Sequence, residues 1–125
     1  MTDRPVVTVC RGCCCGTEGK HPDVDHEAQL AELTAGIGDA GRVRVTDCLD
    51  ACAHSNVVVV GPSANGRRAG ARPMWLLGVL DRATVADIVA WVRRGGPGVA
   101  EPPPVLDLRV FTPGRKARKL LRPGA

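Results

Sequence analysis

The chain has 125 residues, 44% of them apolar, and a net charge of +4, which suits one domain with a modest core and leaves too little for a second. No apolar run approaches the ~20 residues of a membrane span, and the opening Met1-Thr2-Asp3-Arg4-Pro5 lacks the charged and then apolar pattern of an export signal. A cytoplasmic protein with no membrane partner is therefore expected, and in that compartment six cysteines point to metal or redox chemistry, not to a disulfide framework.

Val6-Val7-Thr8-Val9 is a short apolar run that predicts a buried strand. It ends in Cys10-Arg-Gly-Cys-Cys-Cys15, and Gly12, Gly16, Gly19 and Pro22 make the stretch from Cys10 to Val24 a wrapping loop. Asp25 is an N-cap candidate for a helix whose apolar stripe is Leu30, Leu33 and Ile37, with Gly36, Gly38 and Gly41 to end it. Arg42 to Asp47 alternates, which predicts a half-exposed strand with Val43 and Val45 on one face and Arg42, Arg44 and Thr46 on the other. The second cysteine loop, Cys48-Leu-Asp-Ala-Cys52, follows directly.

Val57 to Val60 predicts a fully buried strand closed by Gly61-Pro62, and residues 63–72 a flexible hairpin connection. Met74 to Leu80 predicts the next strand. Thr84 and Asp87 have the spacing of a capping box for a helix with Val85, Ile88, Val89 and Val92 on one face, stopped by Gly95-Gly96. Four prolines between Pro97 and Pro104 form a stiff exit, after which Val105 to Phe111 has the character to pack back. This divides the chain into a domain over 1–96 and a Pro-rich, basic C-terminal tail over 97–125.

The charge is unevenly placed. Acidic and basic residues balance over 1–94, so the whole excess of +4 lies in the tail, at Arg109, Arg115, Lys116, Arg118, Lys119 and Arg122 against Glu101 and Asp107. Such a run steers acidic partners or frays in solvent. Nucleic acid is disfavoured, because Trp75, Trp91 and Phe111 are the only aromatic side chains and none makes a stacking platform beside the basic run. The tryptophans suit a core or an interface better than an electron relay.

Two neighbouring strands, each running into cysteines, would deliver both loops to one end of a sheet, as a thiolate cage for an inorganic cluster requires. The same residues admit two other chemistries: a zinc or copper module using Cys10 and Cys13 with Cys48 and Cys52, and a Cys10-x-x-Cys13 thiol-disulfide oxidoreductase. Against the dithiol, Gly16, Gly19 and Pro22 follow where a helix should start at once. His54, two residues after Cys52, offers a nitrogen ligand that six thiols make superfluous. His21 and His26 flank a polar turn that leads into a helix start.

The order strand, helix, strand, cysteine loop, strand, strand, helix resembles the thioredoxin-like 2Fe-2S ferredoxins, the stand-alone relatives of the small cluster-bearing subunit of respiratory NADH dehydrogenase. The resemblance rests on Val7-Thr8-Val9-Cys10 with Cys15 beyond it, on Cys48-Leu-Asp-Ala-Cys52 leading into Asn56-Val-Val-Val-Val60, and on Met74 to Leu80 with the helix Thr84 to Arg94. It implies an α/β, thioredoxin-like fold: a mixed four-stranded sheet with flanking helices and the two cysteine loops at one end. It also implies one 2Fe-2S cluster per chain held by Cys10, Cys15, Cys48 and Cys52. Cys13 and Cys14 depart from the family pattern and stand as substitute ligands, since a small shift of a glycine-flanked loop would exchange them for Cys15.

The function so implied is that of a one-electron carrier, a ferredoxin without a substrate site and so not an enzyme. Its partners would be redox proteins, a reductase or an acceptor enzyme, and its relatives pair as homodimers. Thiolate sulfur suits tetrahedral iron, and backbone N–H groups and solvent access tune the potential.

Overall fold

The computed structural model describes residues 4–10, 26–46, 57–79, 81–116 and 119. Strand β1 (Val6–Cys10) leads to helix α1 (His26–Ile37), a 3-10 turn at Gly38–Ala40 and strand β2 (Arg42–Thr46). Strand β3 (Val58–Gly61), the short helix α2 (Ala64–Arg68), strand β4 (Met74–Leu76) and helix α3 (Arg82–Arg93) follow, and then a 3-10 helix over Pro104–Arg109. The fold is α/β, with the four strands in one open, mixed sheet of order β2-β1-β3-β4. β1 runs parallel to β2 and antiparallel to β3, and β3 runs antiparallel to β4.

Register assigns every strand residue to a face, because partners point the same way and successive residues alternate. Val7 and Val9 share one face with Val43 of β2, Val58 and Val60 of β3 and Leu76 of β4. This face meets Leu33 and Ile37 of α1 and Val85, Ile88, Trp91 and Val92 of α3 in one hydrophobic core. The two helices take the apolar stripes that their periodicity predicts. On the opposite face lie Thr8 and Cys10 of β1, Val59 of β3 and Trp75 of β4, all buried. Phe111 meets the Trp75 ring edge-on, with centroids 6.0 Å apart.

Several details differ from the sequence-based expectation. Val45 is 52% exposed: β2 is an edge strand, and only its Val43 packs on the core. Residues 63–72 are not a flexible connection but include α2. There the Ser63 side chain caps the Gly66 N–H at 3.1 Å, and a Cβ on Gly66 would lie 2.2 Å from the Pro97 carbonyl oxygen. β4 stops at Leu76 instead of reaching Leu80, just before the left-handed Gly78. The N-cap of α3 is Asp81, not Thr84, since the Asp81 carboxylate accepts from the Thr84 N–H.

The end of α3 follows expectation and closes with paired glycine bonds. The Gly95 N–H donates to the Val92 carbonyl and the Gly96 N–H to the Trp91 carbonyl, a Schellman closure that both residues make possible by their positive φ. The chain then runs back over the domain. The Trp91 indole donates to the Ala100 carbonyl at 2.8 Å, and Leu106 is fully buried in the core. The Leu77 N–H donates to the Arg109 carbonyl and the Phe111 N–H to the Trp75 carbonyl, so residues 109–111 pair along the edge that β4 would otherwise leave open.

Candidate functional site

Cys10 is the last residue of β1 and is 2% exposed. A strand residue is fixed by its ladder, and Cys10 is held on both sides. Its register partner on β2 is Thr46. On the β3 side its N–H donates to the Val57 carbonyl at 3.0 Å. Because β2 is parallel and β3 antiparallel to β1, the chain leaves β2 at Thr46 and enters β3 at Val57 on the same end of the sheet, one on each flank of Cys10. Adjacent strands lie only ~4.8 Å apart.

Cys13, Cys14, Cys15, Cys48 and Cys52 lie outside the described residues, as do His21 and His54. The described part shows the residues that border these segments. Residues 11–25 start from Cys10 itself, and residues 47–56 start beside it at Thr46 and end beside it at Val57. Among the described residues no three His, Cys, Asp or Glu side chains gather into a metal site.

Electrostatics on this face add one observation that periodicity does not supply. Arg44 sits two residues before Thr46 and opposite Thr8, so it belongs to the same face as Cys10, one pleat repeat back along the sheet. The residue is half-buried, and its Nη1, like the Arg4 Nε beyond the other end of β1, is buried with no hydrogen-bond partner. A buried cationic donor without an acceptor is costly and calls for an anion.

The burial of Cys10 also bears on the dithiol chemistry. An attacking thiolate needs exposure and an electropositive, accessible setting, whereas a buried thiol is inert toward large disulfide substrates. A metal ligand, by contrast, is well served by burial. Trp75 and Trp91 are 4% and 1% exposed and belong to the packed interior.

The described residues thus define an α/β protein with a mixed open sheet and a buried cysteine at the end of a central strand. No helix among them is long and apolar enough to cross a membrane. No family model, curated protein or solved structure matches the chain.

Proposed function

We propose that the chain is a one-electron carrier of the thioredoxin-like 2Fe-2S ferredoxin type, holding its cluster with Cys10, Cys15, Cys48 and Cys52 and working in the cytosol between redox partner proteins. The observation that carries this is the placement of Cys10 between Thr46 and Val57. Cys10, Thr46 and Val57, the described residues that border the two cysteine segments, lie side by side at one end of the sheet, which supports a reading in which four thiolates from two distant stretches of chain converge. The strand order β2-β1-β3-β4, with one parallel pair and two antiparallel pairs, is that of a thioredoxin-like sheet and supports the same reading.

When bound, the cluster supplies reversible uptake of one electron at iron. The chain's own residues do the rest. The β1 ladder holds Cys10 rigidly, so little ligand movement accompanies the change of charge. Burial of Cys10 keeps water from the sulfur at that corner. Glycines beside the proposed ligands, Gly12 and Gly16, would allow the backbone to approach anionic sulfur closely.

The test is the visible spectrum of protein purified without oxygen, before and after dithionite. Sulfur-to-iron charge-transfer bands that bleach on reduction are expected. A colourless protein with bound zinc would transfer the site to a structural metal module, and a colourless, metal-free protein with a titratable disulfide would transfer it to thiol exchange.

A further inference from the structure

We infer that the outer edge of residues 109–111 is a docking strand for an extended, acidic segment of a partner protein with apolar side chains at alternate positions. The inference stands on the described scaffold and is independent of the cluster reading. Leu76 and Val110 oppose each other in an antiparallel bridge. The bonds that flank them run from the Leu77 N–H to the Arg109 carbonyl and from the Phe111 N–H to the Trp75 carbonyl, which makes them a non-hydrogen-bonded pair. In such a pair the main-chain groups of each residue turn away from the other. Leu76 turns its own toward β3, where it is paired with Val58, and Val110 turns its N–H and C=O outward.

Residues 109–111 therefore close the edge of β4 and present a new one. Val110 is 43% exposed and Leu108 is 81% exposed, so outward main-chain groups and apolar side chains stand together along it. An edge of this kind is a template for an added strand. Hydrocarbon supplies no partner for an N–H or a C=O, and phosphates supply none for leucine. An extended peptide supplies both.

Charge selects the peptide. Because β4 and residues 109–111 are antiparallel, the chain beyond Phe111 heads back toward the residues that precede β4. At that end Arg67, Arg68 and Arg72 are exposed. They are gathered into one turn, since the Ala71 N–H donates to the Gly66 carbonyl at 3.0 Å and the Gly70 N–H to the Arg67 carbonyl at 2.9 Å. Arg115, Lys116 and Lys119, also exposed, follow Phe111. The sequence has no Asp or Glu over 56–80 or 108–125. Asp81 follows β4 and Asp107 precedes Arg109, which puts both toward the opposite end of the edge. A patch of one sign steers carboxylates to it, and a second copy of this chain would bring further cations instead.

The experiment titrates the full chain with a short peptide of alternating Glu and Val. Its comparators are a Lys-Val peptide, a Glu-Val peptide N-methylated at every residue, phosphatidylserine vesicles and duplex DNA. Affinity is read by calorimetry at low and high salt, and the amides by nuclear magnetic resonance with hydrogen exchange. The Glu-Val peptide is expected to bind, to protect the Val110 amide from exchange and to leave the amides of β2, the other edge strand, unchanged. Arg115→Glu combined with Lys116→Glu should weaken binding roughly tenfold, and salt should weaken it in wild type. Leu108→Asp should weaken it as well, and the Lys-Val and N-methylated peptides should bind far less.

Absence of binding, an unchanged Val110 amide at saturation, or protection on β2 in place of Val110 would overturn the assignment. Equal binding of the N-methylated peptide would overturn it too, because no strand would then be added. Tighter binding of vesicles or DNA than of the Glu-Val peptide would make the patch a general polyanion surface, and concentration-dependent dimers that protect Val110 without peptide would give the edge to a second copy; either result overturns the acidic partner.

Discussion

The backbone N–H of Cys10 and the carbonyl of Val57 meet at 3.0 Å, binding the last residue of β1 to the residue at which the chain returns from the second cysteine segment. The bond uses main-chain atoms only, so it survives a change of side chain at position 10. Cys10→Ala should therefore fold, at a cost of about 1 kcal/mol for the lost buried sulfur, and should fail to retain iron. Cys48→Ser and Cys52→Ser should likewise lose the chromophore. The double variant Cys13→Ser with Cys14→Ser should keep about two irons per chain; iron loss there, measured by colorimetric assay, would replace Cys15 in the ligand set.

Leu106 and Leu108 stand two residues apart in the same 3-10 helix, at 0% and 81% exposure. Leu106→Ala should destabilise the fold by about 2–5 kcal/mol, and Leu108→Ala should stay within about 0.5 kcal/mol of wild type. Urea unfolding followed by circular dichroism checks the pair. Equal effects would mean that the segment after Pro97 is not docked on the core.

Gly66 permits α2 to lie against the Pro97 carbonyl, where an added Cβ would sit at 2.2 Å. The obstructing atom is backbone, which cannot swing aside as a side-chain end would. Gly66→Ala should cost about 1–3 kcal/mol, although alanine favours helices over glycine at exposed sites. A thermal melt at or above the wild-type midpoint would contradict the close approach.

Asp81 caps α3, and its carboxyl is held below the usual carboxylate range, chiefly by a side-chain hydrogen bond with Thr84. The Thr84 N–H adds to this and Arg109 contributes a smaller attraction, against opposing desolvation. A folded-state pKa that is depressed gives a contribution fully present above the unfolded aspartate value of ~3.9 and lost as the pH falls through the folded value. Asp81→Ala should cost about 1 kcal/mol near neutral pH, with the difference from wild type narrowing in acid below pH ~3.9. A difference that is constant down to strong acid would show that the charged cap contributes nothing.

Most of the scaffold is legible in the residues. The β-branched runs at Val6 to Val9 and Val57 to Val60 become the central strands β1 and β3, and the stripes Leu30, Leu33, Ile37 and Val85, Ile88, Val92 become the core faces of α1 and α3. The misses have tertiary causes. Ala64–Arg68 has a glycine in its middle and no apolar stripe; it is helical because Ser63 caps it and Pro97 packs on it, and a local pattern contains neither fact. Thr84 and Asp81 are both capping residue types three positions apart, so composition cannot choose between them.

Arg44 illustrates the limit for the candidate site. Alternation correctly assigns it to the face away from α1 and α3, but whether that face is wet depends on what else packs there. The other cysteines of the proposed site, Cys13 to Cys15, Cys48 and Cys52, lie outside the described residues. The candidate site is legible as cysteine spacing in the sequence, and the fold places only Cys10, Thr46 and Val57 beside one another at one end of the sheet.

The central claim is tested most directly by counting iron and acid-labile sulfide in protein purified and kept without oxygen. The account predicts about two of each per chain, with a paramagnetic signal that appears on reduction by dithionite. Zinc in place of iron, or a metal-free chain that stays so after reconstitution with iron and sulfide, would contradict it.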